Sequence, residues 1–184
     1  SDQVSQIQQT ASFIAAKVVD EEHRGFLIPC APVSPDKADP DCATQFLKEA
    51  GRLLYRQPLD ENQVSALVDV ADEAANTTGD FYDGLAIALE TILVSPSMLF
   101  IVDRAEPDPG NPGEMRLDAW SLASRLSFFL WNSPPDSTLL LAAATGELHT
   151  EVGLSRTVER MLGSSRLEQG MRAFFDDMMA FDEF

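Results

Sequence analysis

The chain predicts an all-α protein of about eight helices in two packed halves. Apolar residues recur at three- and four-residue intervals through most of its 184 residues. Helix-capping residues, among them Asp60, Asp80, Asp118, Asp136 and Thr150, stand immediately before those runs. No alternating stretch of useful length argues for a sheet, and no internal repeat is apparent.

Val4, Ile7, Ala11, Ile14, Ala15 and Val18 place a first helix up to about Val19. Gly25 and Pro29 close that region, and residues 30–41 form a Pro- and Asp-rich loop. Ala43, Phe46, Leu47, Ala50, Leu53 and Leu54 mark a second helix, which Pro58 ends by disfavouring helical geometry at Gln57. Asp60 and Gln63 have capping-box spacing for a third helix with Val64, Leu67, Val68, Ala71 and Ala75 inward. After Asn76–Gly79, Asp80 caps a fourth, with Phe81, Leu85, Ala88, Leu89, Ile92 and Leu93 inward. Ser95-Pro96 has the form of a cap and first helical position. The run Met98–Val102 reads as a short buried helix or, alternatively, a strand.

The domain division places an N-terminal half at residues 1–102 and a linker loop at 103–116, where prolines, glycines and acids crowd together. The C-terminal half, 117–184, opens with a helix capped by Asp118, in which Leu117 can staple onto Leu122. This helix reads as buried and is stopped by Pro134-Pro135. Asp136 caps a short helix ended by Gly146. Thr150 caps another with Leu154, Val158, Met161 and Leu162 inward. Ser165 and Glu168 cap the last, with Leu167, Met171, Phe174, Phe175 and Met178 predicted to face the core. The apolar series continues through Met179, Phe181 and Phe184 and then stops, as expected for a chain cut from a longer one.

Thirteen Lys and Arg against thirty Asp and Glu give a net charge of −17. Phosphate backbones and anionic bilayers need cationic contacts, so nucleic acid and membrane surfaces are not expected partners. No apolar run reaches the ~20 residues of a membrane span. Ser1-Asp-Gln-Val lacks the apolar stretch of a signal peptide, which fits a processed form or an internal segment.

Cys30 and Cys42 bracket the Pro-rich loop. The preferred reading is a disulfide, which implies an oxidising compartment and constrains the unfolded chain by roughly 2–3 kcal/mol. Two free buried thiols are the alternative. The absence of a Cys-x-x-Cys pair argues against a zinc ribbon or a covalent haem within this chain.

Arg125 is the first candidate for chemistry. Helical spacing puts it on a stripe with Leu122 and Phe129, so its charge is expected to point at apolar surface. A buried arginine needs a carboxylate or the carbonyls of a helix end, or else serves as an anion clamp. Arg52 and Arg56, four residues apart, invite the same comparison. Trp131 reads as a core plug, with a sugar-stacking platform as the alternative, and Trp120 opens the same helix. His23 and His149 read as surface or capping residues; a role as axial ligand to a partner's haem is the alternative. Asp36, Asp39 and Asp41, and Glu106, Asp108 and Glu114, offer oxygen ligands but lack the EF-hand order, so no metal site is expected. Asp176-Asp177 and Asp182-Glu183 are adjacent pairs that diverge on a helix and make a poor carboxylate dyad. No phosphate loop or nucleophile elbow appears.

Several segments together resemble a known group. They are Cys42-Ala-Thr-Gln-Phe-Leu47, Gly51-Arg-Leu-Leu-Tyr-Arg-Gln-Pro-Leu59 and Gly84–Pro96, then Leu122-Ala-Ser-Arg-Leu-Ser-Phe-Phe-Leu-Trp131, Pro135-Asp136, Gly146-Glu-Leu148 and Arg160-Met-Leu162 with Arg166. They resemble consecutive uncharacterised helical domains of the planctomycete-type cytochrome proteins, large exported bacterial proteins with haem motifs outside this region. The resemblance implies a periplasmic or cell-surface parent. It implies no cofactor in this chain, with haem c elsewhere in the parent. The expected function is a non-catalytic structural or interaction module. Its partners would be neighbouring domains, met through Phe174, Phe175, Met178 and Phe181. The alternative is a partial active-site domain of an oxidoreductase whose redox cofactor lies in another segment. That reading needs an unpaired guanidinium of Arg125, Arg52 or Arg56 in a cleft. Carbohydrate or calcium binding is a weaker alternative.

Overall fold

A computed structural model describes residues 2–179, which form ten α-helices, one 3₁₀ turn and a two-stranded hairpin. The all-α reading holds. The helices beyond the expected eight are single turns of four residues. The chain divides into two compact units, 1–100 and 101–184, and each is described on its own.

The first unit contains α1 (Asp2–Val19), α2 (Arg24–Leu27), α3 (Pro40–Leu54), α4 (Glu61–Thr78), α5 (Phe81–Leu93) and α6 (Pro96–Leu99). Its centre is α5, which packs against α1, α3 and α4. Phe81, Leu85, Leu89 and Ile92 recur at helical spacing and are buried against Phe46, Leu47, Leu67 and Ala71. At Gly84 a β-carbon would collide with the Ala71 carbonyl and Ala75, so α4 and α5 approach closely there because the side chain is missing. The expected caps are in place. Asp60 accepts from the Gln63 amide at 2.8 Å, and its own amide donates back to Gln63 Oε1 at 3.0 Å, completing the capping box. Gly79, at φ +75°, ends α4, and Asp80 caps α5 directly after it.

Cys30 and Cys42 form a disulfide with their Cα atoms 5.6 Å apart. Asp39 reinforces it, one carboxylate oxygen capping α3 at the Cys42 amide (3.0 Å) and the other accepting from the Val33 amide (2.9 Å). The Phe81 amide donates to the Pro35 carbonyl at 2.8 Å, which ties the loop to the start of α5.

Met98–Val102 is neither the expected buried helix nor a strand. Helix α6 stops at Leu99, Phe100 is extended, and Phe100, Ile101 and Val102 are exposed with no further helix or strand. Pro96 starts the turn, but Arg56 draws off the carbonyls of Ser97 and Met98 that would carry the helix on.

The second unit contains β1 (Ala105–Pro107), β2 (Met115–Leu117), α7 (Ala119–Trp131), α8 (Ser137–Ala144), a 3₁₀ turn at Glu147–His149, α9 (Glu151–Leu162) and α10 (Arg166–Met179). The stretch 103–116, expected as a linker loop, carries an antiparallel hairpin with Glu106 opposite Arg116. Three residues per strand are too few for alternation to show. Trp131, Leu139, Leu148 and Met161 centre the core. Asn132, at φ +49°, ends α7 ahead of the two prolines.

Apart from Trp131, helix α7 buries its large apolar residues only in part, with Trp120, Leu122, Leu126 and Leu130 half-buried against the core. Ala119, Ala123, Ser124 and Ser127 point inward, while Phe129 is 82% exposed. The small face admits α10 at close range: a β-carbon on Gly170 would strike the Leu130 carbonyl. Correspondingly, α10 buries Gly170 and packs Leu167 partly, but Met171, Phe174, Phe175 and Met178 are exposed rather than core. In α9, Gly153, Thr157 and Met161 are buried and Leu162 is exposed. Phe181, Asp182, Glu183 and Phe184 lie outside the described residues.

Candidate functional site

Arg56 follows the end of α3 with φ +60°, a left-handed conformation that costs a non-glycine residue about 1–3 kcal/mol. Its side chain offsets this. Only 7% exposed, it donates to the carbonyls of Ser97 (2.6 Å), Phe100 (2.7 Å), Met98 (3.1 Å) and Leu54 (3.2 Å). The guanidinium thus joins the last turn of α3 to α6. Burial, with no carboxylate among these partners, pushes its pKa below the ordinary arginine value. Of the two helix-linked arginines, only Arg56 is buried. Arg52 stays on α3 and pairs with Glu49 at 2.7 Å, one turn back.

Arg125 is not buried. Its side chain is 59% exposed, because the inward face of α7 is the Ala/Ser face. Its Nε lies 3.0 Å from both Asp103 carboxylate oxygens, and its Nη2 pairs with the same group. That hydrogen bonding holds Asp103 below the usual carboxylate range and raises the arginine. The pair rims an open apolar groove formed with Ile101, Leu122, Leu126 and Phe129. All three candidate guanidiniums are therefore engaged within the chain.

Trp131 is a core plug, 1% exposed, with its indole N–H donating to the Met161 carbonyl at 3.0 Å. The Arg166 and Arg160 guanidiniums lie 4.8 Å and 5.5 Å from its ring centroid. Arg160 also donates to both oxygens of Asp136, at 2.8 and 3.2 Å, and Asp136 caps α8 through the Leu139 amide at 2.7 Å. Burial of Asp136 acts to raise its pKa, but the Arg160 and Leu139 hydrogen bonds outweigh it and the net shift is downward. This Trp131–Arg160–Asp136 cluster escaped pattern reading, because Arg160 lies 24 and 29 residues from Asp136 and Trp131, on another helix. Asp136 was legible as a cap; its second role was not.

The histidines serve local structure. His23 Nδ1 is 2.6 Å from Asp20, which that hydrogen bond lowers to a pKa of about 2. His149 donates at the hairpin, its Nε2–H to the Leu117 carbonyl at 3.0 Å, with Nδ1 3.5 Å from Glu106. Arg116 pairs with the same Glu106 at 2.6 Å across the strands. The loop acids are likewise occupied. Asp36 accepts from Ser34, and Asp108 accepts from the Gly110 amide at 2.9 Å and the Asn111 side chain at 2.7 Å. Among the described residues, no group of three or more His, Cys, Asp or Glu is arranged to hold a metal ion. Asp176 and Asp177 are both exposed.

Residues 42–103 match the family model PSD5, a protein of unknown function (DUF1595), and residues 117–184 match PSD4, a protein of unknown function (DUF1592). The two matches are consecutive and fall one in each unit, apart from the first residues after Phe100. No curated protein and no solved structure matches the chain.

Proposed function

We propose that this chain is a structural and interaction module of an exported, multi-domain, haem-associated protein, with any haem c carried by other segments of the parent. The observation that carries the reading is the outer face of α10. Gly170 and Leu167 hold this helix against α7, while Met171, Phe174, Phe175 and Met178 stand exposed in a row at helical spacing. An apolar face of that size on a chain of charge −17 suits burial against a neighbouring domain. The disulfide supports an oxidising compartment, periplasmic or cell-surface. No helix of the described residues is long and apolar enough to cross a membrane. The consecutive matches to two uncharacterised families, DUF1595 and DUF1592, support a multi-domain setting, and the haem association rests on the resemblance alone.

The test replaces Phe174, Phe175 and Met178 by glutamine and reads two signals. Binding of a hydrophobic dye should fall several-fold, and any self-association seen by sedimentation should weaken, with the circular dichroism spectrum retained. Unchanged dye binding and an unchanged oligomeric state would remove α10 as the contact surface.

A further inference from the structure

We propose that the pocket between α8 and α9 binds a small, neutral, polyhydroxylated molecule the size of a single sugar ring. The site uses neither α10 nor the parent's other segments, so it goes beyond the module reading and does not depend on it. The pocket holds about 190 Å³, below the roughly 300–1,000 Å³ of drug-sized ligand sites. Thr138 and Leu141 line it from α8, Thr145 from just after that helix, Arg156, Thr157 and Arg160 from α9, and Glu147 from the 3₁₀ turn between them.

Thr157 is the informative residue. A threonine inside a helix can return its hydroxyl to the preceding turn, as Thr77, Thr78 and Thr91 do here. Thr157 is only 6% exposed, yet among the described residues its hydroxyl has no hydrogen-bond partner. That hydroxyl is not sealed in the core, since the sealed and unbonded side-chain atom among the described residues is that of Ser133. Thr157 lines the pocket, and a hydroxyl that is neither sealed nor bonded keeps hydrogen-bonding capacity for a ligand there.

The remaining wall is matched to alternating donors and acceptors. Thr145 donates to the Leu141 carbonyl at 3.1 Å, which leaves its oxygen free to accept. Arg156 has no carboxylate at ion-pair distance among the described residues, whereas Arg160 on the same helix is taken by Asp136. Glu147 supplies an acceptor, and the Leu141 side chain offers an apolar surface for ring C–H groups. Arg160 is neutralised by its ion pair with Asp136, and Glu147 on the opposite wall offsets the remaining Arg156 charge without pairing to it. With no local positive excess on a chain of −17, an anion has little to gain here, which favours a neutral ligand.

The frame is fixed before any ligand arrives. The Arg160–Asp136 pair fastens α9 to the cap of α8. Gly153, at the start of α9, lies so close to the Glu147 carbonyl that a β-carbon would not fit. Fixed walls reduce the ordering cost of binding.

The test is an NMR titration of the ¹⁵N-labelled chain with methyl α-glucoside, methyl β-galactoside and myo-inositol, with acetate and phosphate alongside. Saturable shifts confined to amides of residues 138–160 are expected with at least one of the three polyols. The near-isosteric Thr157→Val should weaken that affinity about fivefold, the loss of one hydrogen bond, with the rest of the spectrum unchanged. Arg156→Ala, at an exposed position, should weaken it comparably without any risk to the core. No saturable response to any of the three polyols would overturn the proposal. So would equal affinity in Thr157→Val, or a response to acetate and phosphate alone.

Discussion

In the first unit α5 buries Phe81, Leu85, Leu89 and Ile92, one large side chain per turn. In the second, α7 buries Ala119, Ala123, Ser124 and Ser127 and turns Phe129 to solvent. Both helices are thirteen residues long and both are rich in apolar residues. The difference lies in what each helix meets. Helix α5 lies among three others and fills the space between them with side-chain volume. Helix α7 meets the backbone of α10 at Gly170, where only small residues allow the approach, and a single tryptophan at its end fills the core. Size and hydrophobicity therefore report the buried face where neighbours are distant, and mislead where backbones touch.

The contrast is sharpest within α7. Trp131 and Phe129 are aromatic residues two positions apart, one fully buried and one at the surface. Trp131→Ala should cost about 3–5 kcal/mol, combining lost transfer energy, a cavity and an unpartnered Met161 carbonyl. Phe129→Ala should stay within about 0.5 kcal/mol of the parent. Urea unfolding of both variants checks this, and comparable losses would mean that the large face of α7 is buried after all.

The arginines repeat the contrast between the units. Arg56→Met leaves four carbonyls without their donor and should cost about 2–4 kcal/mol. Arg125→Met removes an exposed ion pair with Asp103, and no resolvable change in the unfolding midpoint is expected. A large loss on Arg125→Met would show that the groove it rims is closed by a contact that this pair supports.

These two cases also show what was legible. Most caps were read correctly because an Asp or Thr accepts amides only two or three residues away, so the signal is local; at the last helix the Arg166 amide donates to Ser164 at 3.2 Å and not to the expected Ser165. Asp60, Asp80, Asp118, Asp136 and Thr150 all cap as expected. The core of α4 and α5 was legible because its period is regular. The disulfide was favoured by its loop. Arg125 was misplaced because the stripe Leu122–Arg125–Phe129 has the right period for a buried face, and periodicity alone does not say which face is inside. The hairpin was missed because its strands are three residues long. Arg56 was singled out, but its four carbonyl partners lie 2 and 41–44 residues away, beyond any local pattern. The polar pocket between α8 and α9 was not anticipated at all, since threonine and arginine at helical spacing look like solvated surface.

A small, pH-dependent effect concerns acid stability and the Asp136–Arg160 pair. The folded-state pKa of Asp136 is depressed: burial raises it, but the hydrogen bonds from Arg160 and the Leu139 amide prevail. A depressed carboxylate contributes stability that is present above its unfolded value of about 3.9, and is lost as pH falls through the folded value. Asp136→Asn keeps a cap for α8, because asparagine accepts the same amide hydrogen bond, but removes the charge that Arg160 pairs with. At neutral pH the variant should be destabilised by at most about 1 kcal/mol, since the pair is partly open to solvent. Below the folded pKa of Asp136 the parent's carboxylate is itself protonated, so the two unfolding curves should converge. The comparison isolates the charge from the cap. A gap between parent and variant that persists into strong acid would show that Asp136 acts through helix capping geometry that asparagine fails to reproduce, and that the ion pair to Arg160 adds nothing to the second unit.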